Sequence, residues 1–344
     1  MSGSISVRRR RQDCLSTIGV LVLVLTLPGA VSAQADYGER PEVLAFIDEL
    51  VASEGFARDE LKATLSGAKY QQSIIDAISR PAEKRLTWAQ YRRIFIVKRR
   101  IEGGVAFMAE HRDVLARAEA KYGVPPEVVA AVIGVETMYG RIMGNYRVLD
   151  ALTTLGFDYP PRSTFFRKQL REFMILAREE QQNPESLKGS YAGAMGYGQF
   201  IPSSYRDFAV DFDGDGVRDI WKNTTDAIGS VANYLSVHGW RKGAPVTTVA
   251  TWTGRDDEIF KRGLKPELTV AELRGKGFYA NGRHREGVDP ADGERATAMK
   301  LEGSAGDEYW IGLHNFYVIT RYNHSHMYAM AVFQLSQELR TSSP

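Results

Sequence analysis

The sequence predicts a mainly α protein, α+β in class, that carries one small β-rich insertion. Three observations support that expectation. Val128 to Val135 is an unbroken run of apolar residues and glycine, preceded by Pro125-Pro126, and proline suits a helix's first turn. Thr87-Trp88-Ala89-Gln90 has the spacing of a capping box, in which two side chains close orphan backbone groups of the first turn. Val246 to Trp252 alternates with β-branched residues, then meets glycine turns at Gly275-Lys276-Gly277 and Asn281-Gly282. That pattern reads as strands.

Taken in order, residues 1–33 have the three-part layout of a secretory signal peptide. Arg8 to Arg11 are basic, Leu15 to Leu27 is almost wholly apolar, and small residues lead to a cut after Ala33. The apolar run falls short of the ~20 residues a membrane span needs. Export by general secretion is expected, since the arginine cluster lacks the hydrophobic sequel of a twin-arginine signal. No stable membrane anchor is expected. Residues 34–122 read as a helical N-terminal region. In it, the helix opened by Thr87 runs through Tyr91, Ile94, Phe95 and Val97, with Lys98-Arg99-Arg100 as a solvated face. Residues 123–243 form a second helical region, rich in glycine. Residues 244–312 are the β-rich insertion, and residues 313–344 return for a last helix over Met327–Leu339. No internal repeat or low-complexity segment interrupts this order.

The chain has 344 residues, 44% hydrophobic and 25% charged, which suits a soluble globular protein with ample core. The only cysteine, Cys14, precedes the apolar run. Lipid attachment would require a cysteine at the cut, so none is expected, and the mature chain has neither disulfides nor a thiol nucleophile. Removing four arginines and one aspartate with the signal takes the formal charge from +2 to −1. Nothing in that balance suggests nucleic acid.

Glu136 is the residue with chemistry in it. On a helix it shares a face with Ile133, Val132 and Val129. A carboxyl group on an apolar stripe costs free energy unless it is paired, hydrogen-bonded or protonated. Desolvation favours the protonated form, which near neutral pH can act as a general acid. A structural Glu, satisfied by backbone or an arginine, is the plainer alternative. Thr137-Met138-Tyr139-Gly140 follows, where Gly140 can end the helix. Further on, Gly193, Gly196 and Gly198 let a backbone approach a ligand, and Gln199 adds an amide that can donate and accept. A phosphate loop would need a Gly-Lys-Ser/Thr ending, which is missing. A tight interhelical crossing would need only the glycines.

Together these segments resemble the lytic murein transglycosylases, and within them the family of membrane-bound lytic murein transglycosylase B and its soluble relatives. The resemblance rests on Glu136-Thr137, Gly193-Ala194-Met195-Gly196-Tyr197-Gly198-Gln199-Phe200, Ala232-Asn233-Tyr234 and Tyr322-Asn323, in that order. It runs from Trp88-Ala89-Gln90-Tyr91 to Tyr328-Ala329-Met330-Ala331. It implies a lysozyme-like core and a soluble, periplasmic, monomeric enzyme acting on peptidoglycan glycan strands. Such an enzyme cleaves the MurNAc–GlcNAc β-1,4 bond and leaves 1,6-anhydro ends, with Glu136 as sole acid and then base. Most glycosidases need two flanking carboxylates. Asp150 and Asp158, nearest along the chain, stay open as second groups. Ser190 is implied to orient Glu136, though alone it could equally be a helix cap. Gln199, Tyr91, Arg162, Tyr234, Tyr322 and Asn323 are implied to line the glycan groove.

A separate loop, Asp211 to Asp219, sets carboxylates of Asp211, Asp213 and Asp215 at positions 1, 3 and 5 of an EF-hand-like pattern, with Gly216 at position 6. The Val217 carbonyl takes position 7. Position 12 is Lys222, not the bidentate Glu, so a weak structural Ca²⁺ site is expected, which the family also implies; an empty Asx-rich turn is the alternative. No cofactor is expected in the chemistry. His324-Ser325-His326 lacks further zinc ligands, and no Gly-x-Ser-x-Gly elbow supports a serine hydrolase. Two rivals remain: a muramidase hydrolysing the same bond, and a non-catalytic murein-binding protein.

Overall fold

A computed structural model describes residues 36–79, 86–282 and 288–342; the expected signal peptide and Cys14 lie outside them. Helices dominate. In chain order they are α1 (Pro41–Glu54), α2 (Arg58–Ser66), α3 (Gln72–Ile78), α4 (Trp88–Phe95), α5 (Lys98–Glu110), α6 (Arg112–Tyr122) and α7 (Pro126–Thr137). They continue as α8 (Val148–Asp158), α9 (Ser163–Glu179), α10 (Pro202–Phe208), α11 (Thr224–Val237), α12 (Val270–Gly275), α13 (His314–Tyr322) and α14 (His326–Ser342). Strands β1 (Tyr146–Arg147) and β2 (Lys188–Gly189) form a small antiparallel pair. Strands β3 (Thr247–Trp252), β4 (Leu268–Thr269), β5 (Phe278–Ala280), β6 (Arg295–Gly303) and β7 (Gly306–Gly312) form an antiparallel sheet in the order β4-β6-β7-β3-β5.

The apolar helix α7 lies at the centre. Residues Val128 to Val135 are all buried, as befits a helix hydrophobic on every side. Around it pack α14, α5, α11 and α6. The sheet keeps a smaller core of its own, built on Val270, Leu273, Phe278 and Ile311, and α4 rests against β6.

Three local expectations need correction. The capping box at Thr87 is present, with both of its hydrogen bonds, but α4 stops at Phe95 and not at Val97. Lys98-Arg99-Arg100 therefore opens α5, and only its first two residues face solvent. Arg100 is 8% exposed and donates through Nε to the Gly134 carbonyl at 3.0 Å, with its guanidinium 5.0 Å above the Phe95 ring. It thus meets the negative end of the α7 dipole. Finally, α7 ends at Thr137, not at Gly140. Met138 and Tyr139 take left-handed φ of 51° and 60° before Gly140 at 84°. Two non-glycine residues in that region cost ~1 kcal/mol or more each. What holds them is the Tyr139 ring, wedged between α5 and α7. A Cβ on Gly104 or Gly134 would fall 2.3 or 2.5 Å from the Tyr139 hydroxyl.

Candidate active site

Glu136 is the penultimate residue of α7 and half-buried. Its Oε1 accepts a hydrogen bond from the Tyr328 hydroxyl at 2.6 Å. Tyr328, 2% exposed, comes from α14, and the Tyr322 ring lies parallel to it, 11° from coplanar at 6.4 Å. Burial, reinforced by the charge of Glu136, pushes both phenols well above the usual tyrosine range. Both therefore remain hydrogen-bond donors. The Tyr322 hydroxyl donates to the Gly198 carbonyl at 2.5 Å. Tyr234 packs 4.6 Å from Tyr322 and donates to the Arg321 carbonyl at 2.6 Å. Burial pushes its phenol up to about 12, against the opposing charge of Arg321. Tyr91 is buried on α4 between the rings of Trp88 and Phe95, near enough to Tyr328 to raise its pKa.

The glycine segment is clamped to the end of α7. Thr137 Oγ1 donates to the Tyr197 carbonyl at 2.9 Å and accepts from Gly140 N–H at 3.0 Å. Tyr197 N–H donates in turn to the Ile220 carbonyl at 3.0 Å. Gly196, at φ 66°, cannot carry a side chain, because a Cβ would stand 2.4 Å from that Ile220 oxygen. Gln199 is left-handed at φ 50°, and its Nε2 donates to the carbonyls of Gly196 at 3.0 Å and Met143 at 3.2 Å. Its amide nitrogen thus ties the loop to the exit of α7. Ser190 Oγ accepts from the N–H groups of Ala192 at 3.2 Å and Ala194 at 3.1 Å. It fastens a turn of its own loop and is not a helix cap.

The remaining groove candidates differ. Asn323 ends α13 directly after Tyr322, and its side chain makes no hydrogen bond among the described residues. Arg162 is exposed on a single 3₁₀ turn between α8 and α9, with its guanidinium over the Phe165 and Phe166 rings. The two open carboxylates are committed elsewhere. Asp150 pairs with Arg147 and accepts from Lys69 N–H at 2.8 Å, while Asp158 pairs with Arg40 at 2.9 Å and accepts from the Tyr37 hydroxyl. Both face the N-terminal helices.

The acidic loop is joined by a fourth carboxylate that sequence reading missed. Carboxylate oxygens of Asp211, Asp213, Asp215 and Asp226 lie within 4.8 Å of one another. Asp226 is fully buried in the first turn of α11, so it enters from outside the twelve-residue loop. Lys222 is exposed. An all-oxygen donor set with several carboxylates is the chemistry a hard cation requires. Val217 N–H donates to Asp215 Oδ1 at 2.8 Å, keeping the loop closed on itself. Tyr328 was equally unannounced: it stood in the sequence as one residue of an apolar terminal helix. Its aromatic ring with a polar tip in a buried stripe was the available signal.

The chain that carries this site matches a known family over most of its length. Residues 38–337 match the transglycosylase SLT domain. The chain belongs to that family. It is 43% identical over 314 residues to membrane-bound lytic murein transglycosylase B of Escherichia coli (strain K12), covering 88% of this chain and 83% of that protein. The soluble lytic transglycosylase SltB1 of Pseudomonas aeruginosa superposes with a TM-score of 0.82 at 52% identity, over 88% and 99% of the two chains. The Escherichia coli lytic transglycosylase SLT35, in complex with calcium, does so with a TM-score of 0.80 at 43% identity, over 89% and 95%. This chain is thus an enzyme, a lytic murein transglycosylase with a mainly α, lysozyme-like fold. No helix among the described residues is long and apolar enough to cross a membrane.

Proposed function

We propose that the enzyme cleaves the MurNAc–GlcNAc β-1,4 bond of murein glycan strands and leaves a 1,6-anhydro-MurNAc end, with Glu136 as acid and then base. The Glu136 carboxyl hands its proton to the glycosidic oxygen as the bond from that oxygen to C1 breaks. The muramoyl C6 hydroxyl then closes on C1, and its proton returns to the Glu136 carboxylate. The carboxyl group ends as it began, and no water is consumed. The observation that supports this reading is the half-buried Glu136 carboxyl, positioned by the Tyr328 hydroxyl on Oε1 at 2.6 Å. Asp150 and Asp158 are held by arginines, so neither is a candidate to activate a water in the way inverting glycosidases require.

In this reading Tyr91, Tyr234, Tyr322, Asn323, Gln199 and Arg162 line the glycan groove, and Ser190 supports the loop beside Glu136. Asp211, Asp213, Asp215 and the Val217 carbonyl, joined by Asp226, hold a structural Ca²⁺ that takes no part in the chemistry. Residues 1–33 direct export, and the mature protein works as a soluble periplasmic monomer whose segments 34–122, 123–243, 244–312 and 313–344 act as the N-terminal region, core, insertion and closing helix. Mass analysis of digested murein tests the reaction. Fragments lighter by one water than hydrolysis products are expected, and reducing ends would assign the enzyme as a muramidase instead.

A further inference from the structure

Backbone strain gathers at the end of α7. Among the described residues four that are not glycine take left-handed φ. Three of them, Met138, Tyr139 and Gln199, stand in the exit turn of α7 and in the glycine segment bonded to it. Such residues persist only where the surrounding structure over-determines them. Here a clasp between the two segments does so, and its centre is Thr137, 1% exposed and next in the chain after Glu136. The Thr137 carbonyl accepts from Ile142 N–H at 2.9 Å and its Oγ1 accepts from Gly140 N–H at 3.0 Å, so one residue closes the exit turn twice. Its hydroxyl proton has two carbonyls in reach, Ile133 at 3.1 Å and Tyr197 at 2.9 Å. A helical threonine ordinarily bonds back to its own helix; the shorter contact here crosses to a residue 60 positions on. A second crossing runs the other way, from Gln199 Nε2 to the Met143 carbonyl at 3.2 Å. Between the two, Gly140 lies against the Tyr197 ring with no room for a Cβ.

We infer that Thr137 is a positioning residue: its hydroxyl locks the strained exit of α7 to the glycine segment, and so fixes the helix end that carries Glu136. The inference rests on the proposed role of Glu136 as acid and base. Tyr328 restrains the carboxyl from α14, at Oε1. Thr137 restrains the main chain beneath it, from the glycine segment. The two restraints come from different elements, so neither substitutes for the other. Misplacing a reacting group by about 1 Å costs on the order of 100-fold in rate, and a loosened helix end is therefore read in turnover.

The test compares Thr137→Val and Thr137→Ser on solubilised murein glycan strands, with Glu136→Gln beside them. Valine keeps the branched shape but leaves the Tyr197 carbonyl and the Gly140 N–H without this partner, whereas serine keeps the hydroxyl. Each protein is assayed well below its own melting temperature. Thr137→Val is expected to lose ~10–100-fold in kcat, with KM within about twofold of wild type. Thr137→Ser is expected to stay within about threefold of wild type in both. Thr137→Cys, of similar size with a weaker donor, supplies the same comparison should the valine protein not fold. The inference is overturned if Thr137→Val turns over at the wild-type rate while Glu136→Gln is inactive. It is equally overturned if Thr137→Ser is as slow as the valine protein, which would make Thr137 a packing residue. An active Glu136→Gln would overturn the acid assignment and this inference with it, so the two failures are told apart.

Discussion

Glu136 and Tyr328, 192 positions apart in the chain, meet across 2.6 Å, and each residue supports a separate prediction. Glu136→Gln keeps the size of the side chain and an oxygen for the phenol, but has no acidic proton to give. General acid catalysis typically contributes 10²–10⁴-fold, and here the same group serves twice. Turnover on purified murein is expected to fall by at least ~10³-fold, with glycan binding and melting temperature near wild type. Residual turnover close to wild type would remove Glu136 from the mechanism. Tyr328→Phe tests orientation alone. Without this donor the carboxyl loses one hydrogen bond that orients it, and a drop of ~10–100-fold in kcat is expected with KM little changed, since a hydrogen bond to a charged group contributes ~1.5–3 kcal/mol. An equal loss in kcat and melting stability, recovered together at lower temperature, would make Tyr328 a packing residue instead. Glu136 was legible in the sequence because a carboxyl group breaks an apolar helical stripe. Tyr328 was not, because a tyrosine in such a stripe is ordinary core.

The acidic loop and α11 act as one element. Four carboxylates within 4.8 Å repel one another, by ~1–4 kcal/mol per pair of charges near 4 Å at surface dielectrics. A bound Ca²⁺ removes that repulsion. At a hundredfold excess over the dissociation constant, binding stabilises by ~2.7 kcal/mol, which corresponds to a rise of several degrees in Tm. Differential scanning calorimetry with calcium and with chelator is expected to show that gap. Asp226→Asn should remove most of it, whereas Lys222→Ala should leave it intact. A calcium shift that survives Asp226→Asn would confine the ligands to the loop itself. Sequence reading picked out Asp211, Asp213 and Asp215 as one cluster because they are local, and their carboxylates do lie together. It found Lys222 where the pattern has a Glu and did not anticipate Asp226, because a linear pattern has no means of reaching a buried side chain on the helix that follows. The same limit explains Arg100: a run of three basic residues reads as solvated until a neighbouring helix end is found beneath the third.

At the scale of the whole molecule, element types were legible from periodicity, capping and turns, and the β-rich stretch was recognisable from its alternation. The meeting of α13 and α14 with α7 was not, since those contacts join residues almost two hundred positions apart, such as Glu136 and Tyr328. Buried phenols, both in that closure and elsewhere in the fold, are expected to set its alkaline limit. Tyr37, Tyr205, Tyr234 and Tyr328 are each 6% exposed or less, and burial pushes all four phenols above the usual tyrosine value. For a group raised in this way the stability is fully present below the unfolded pKa, near 10, and is lost as pH climbs towards the folded one. Above pH ~10 the unfolded chain holds fewer protons than the native one, so stability falls by ~1.4 kcal/mol per pH unit for each such tyrosine. Four together give ~5 kcal/mol per unit, comparable with the ~5–15 kcal/mol that holds a typical protein folded. The protein should therefore unfold abruptly between about pH 10 and 12, with tyrosinate absorbance and loss of circular dichroism rising in a single step. Gradual tyrosine ionisation at unchanged circular dichroism would mean that these phenols exchange with solvent, and that the packing around them is looser than the structure shows.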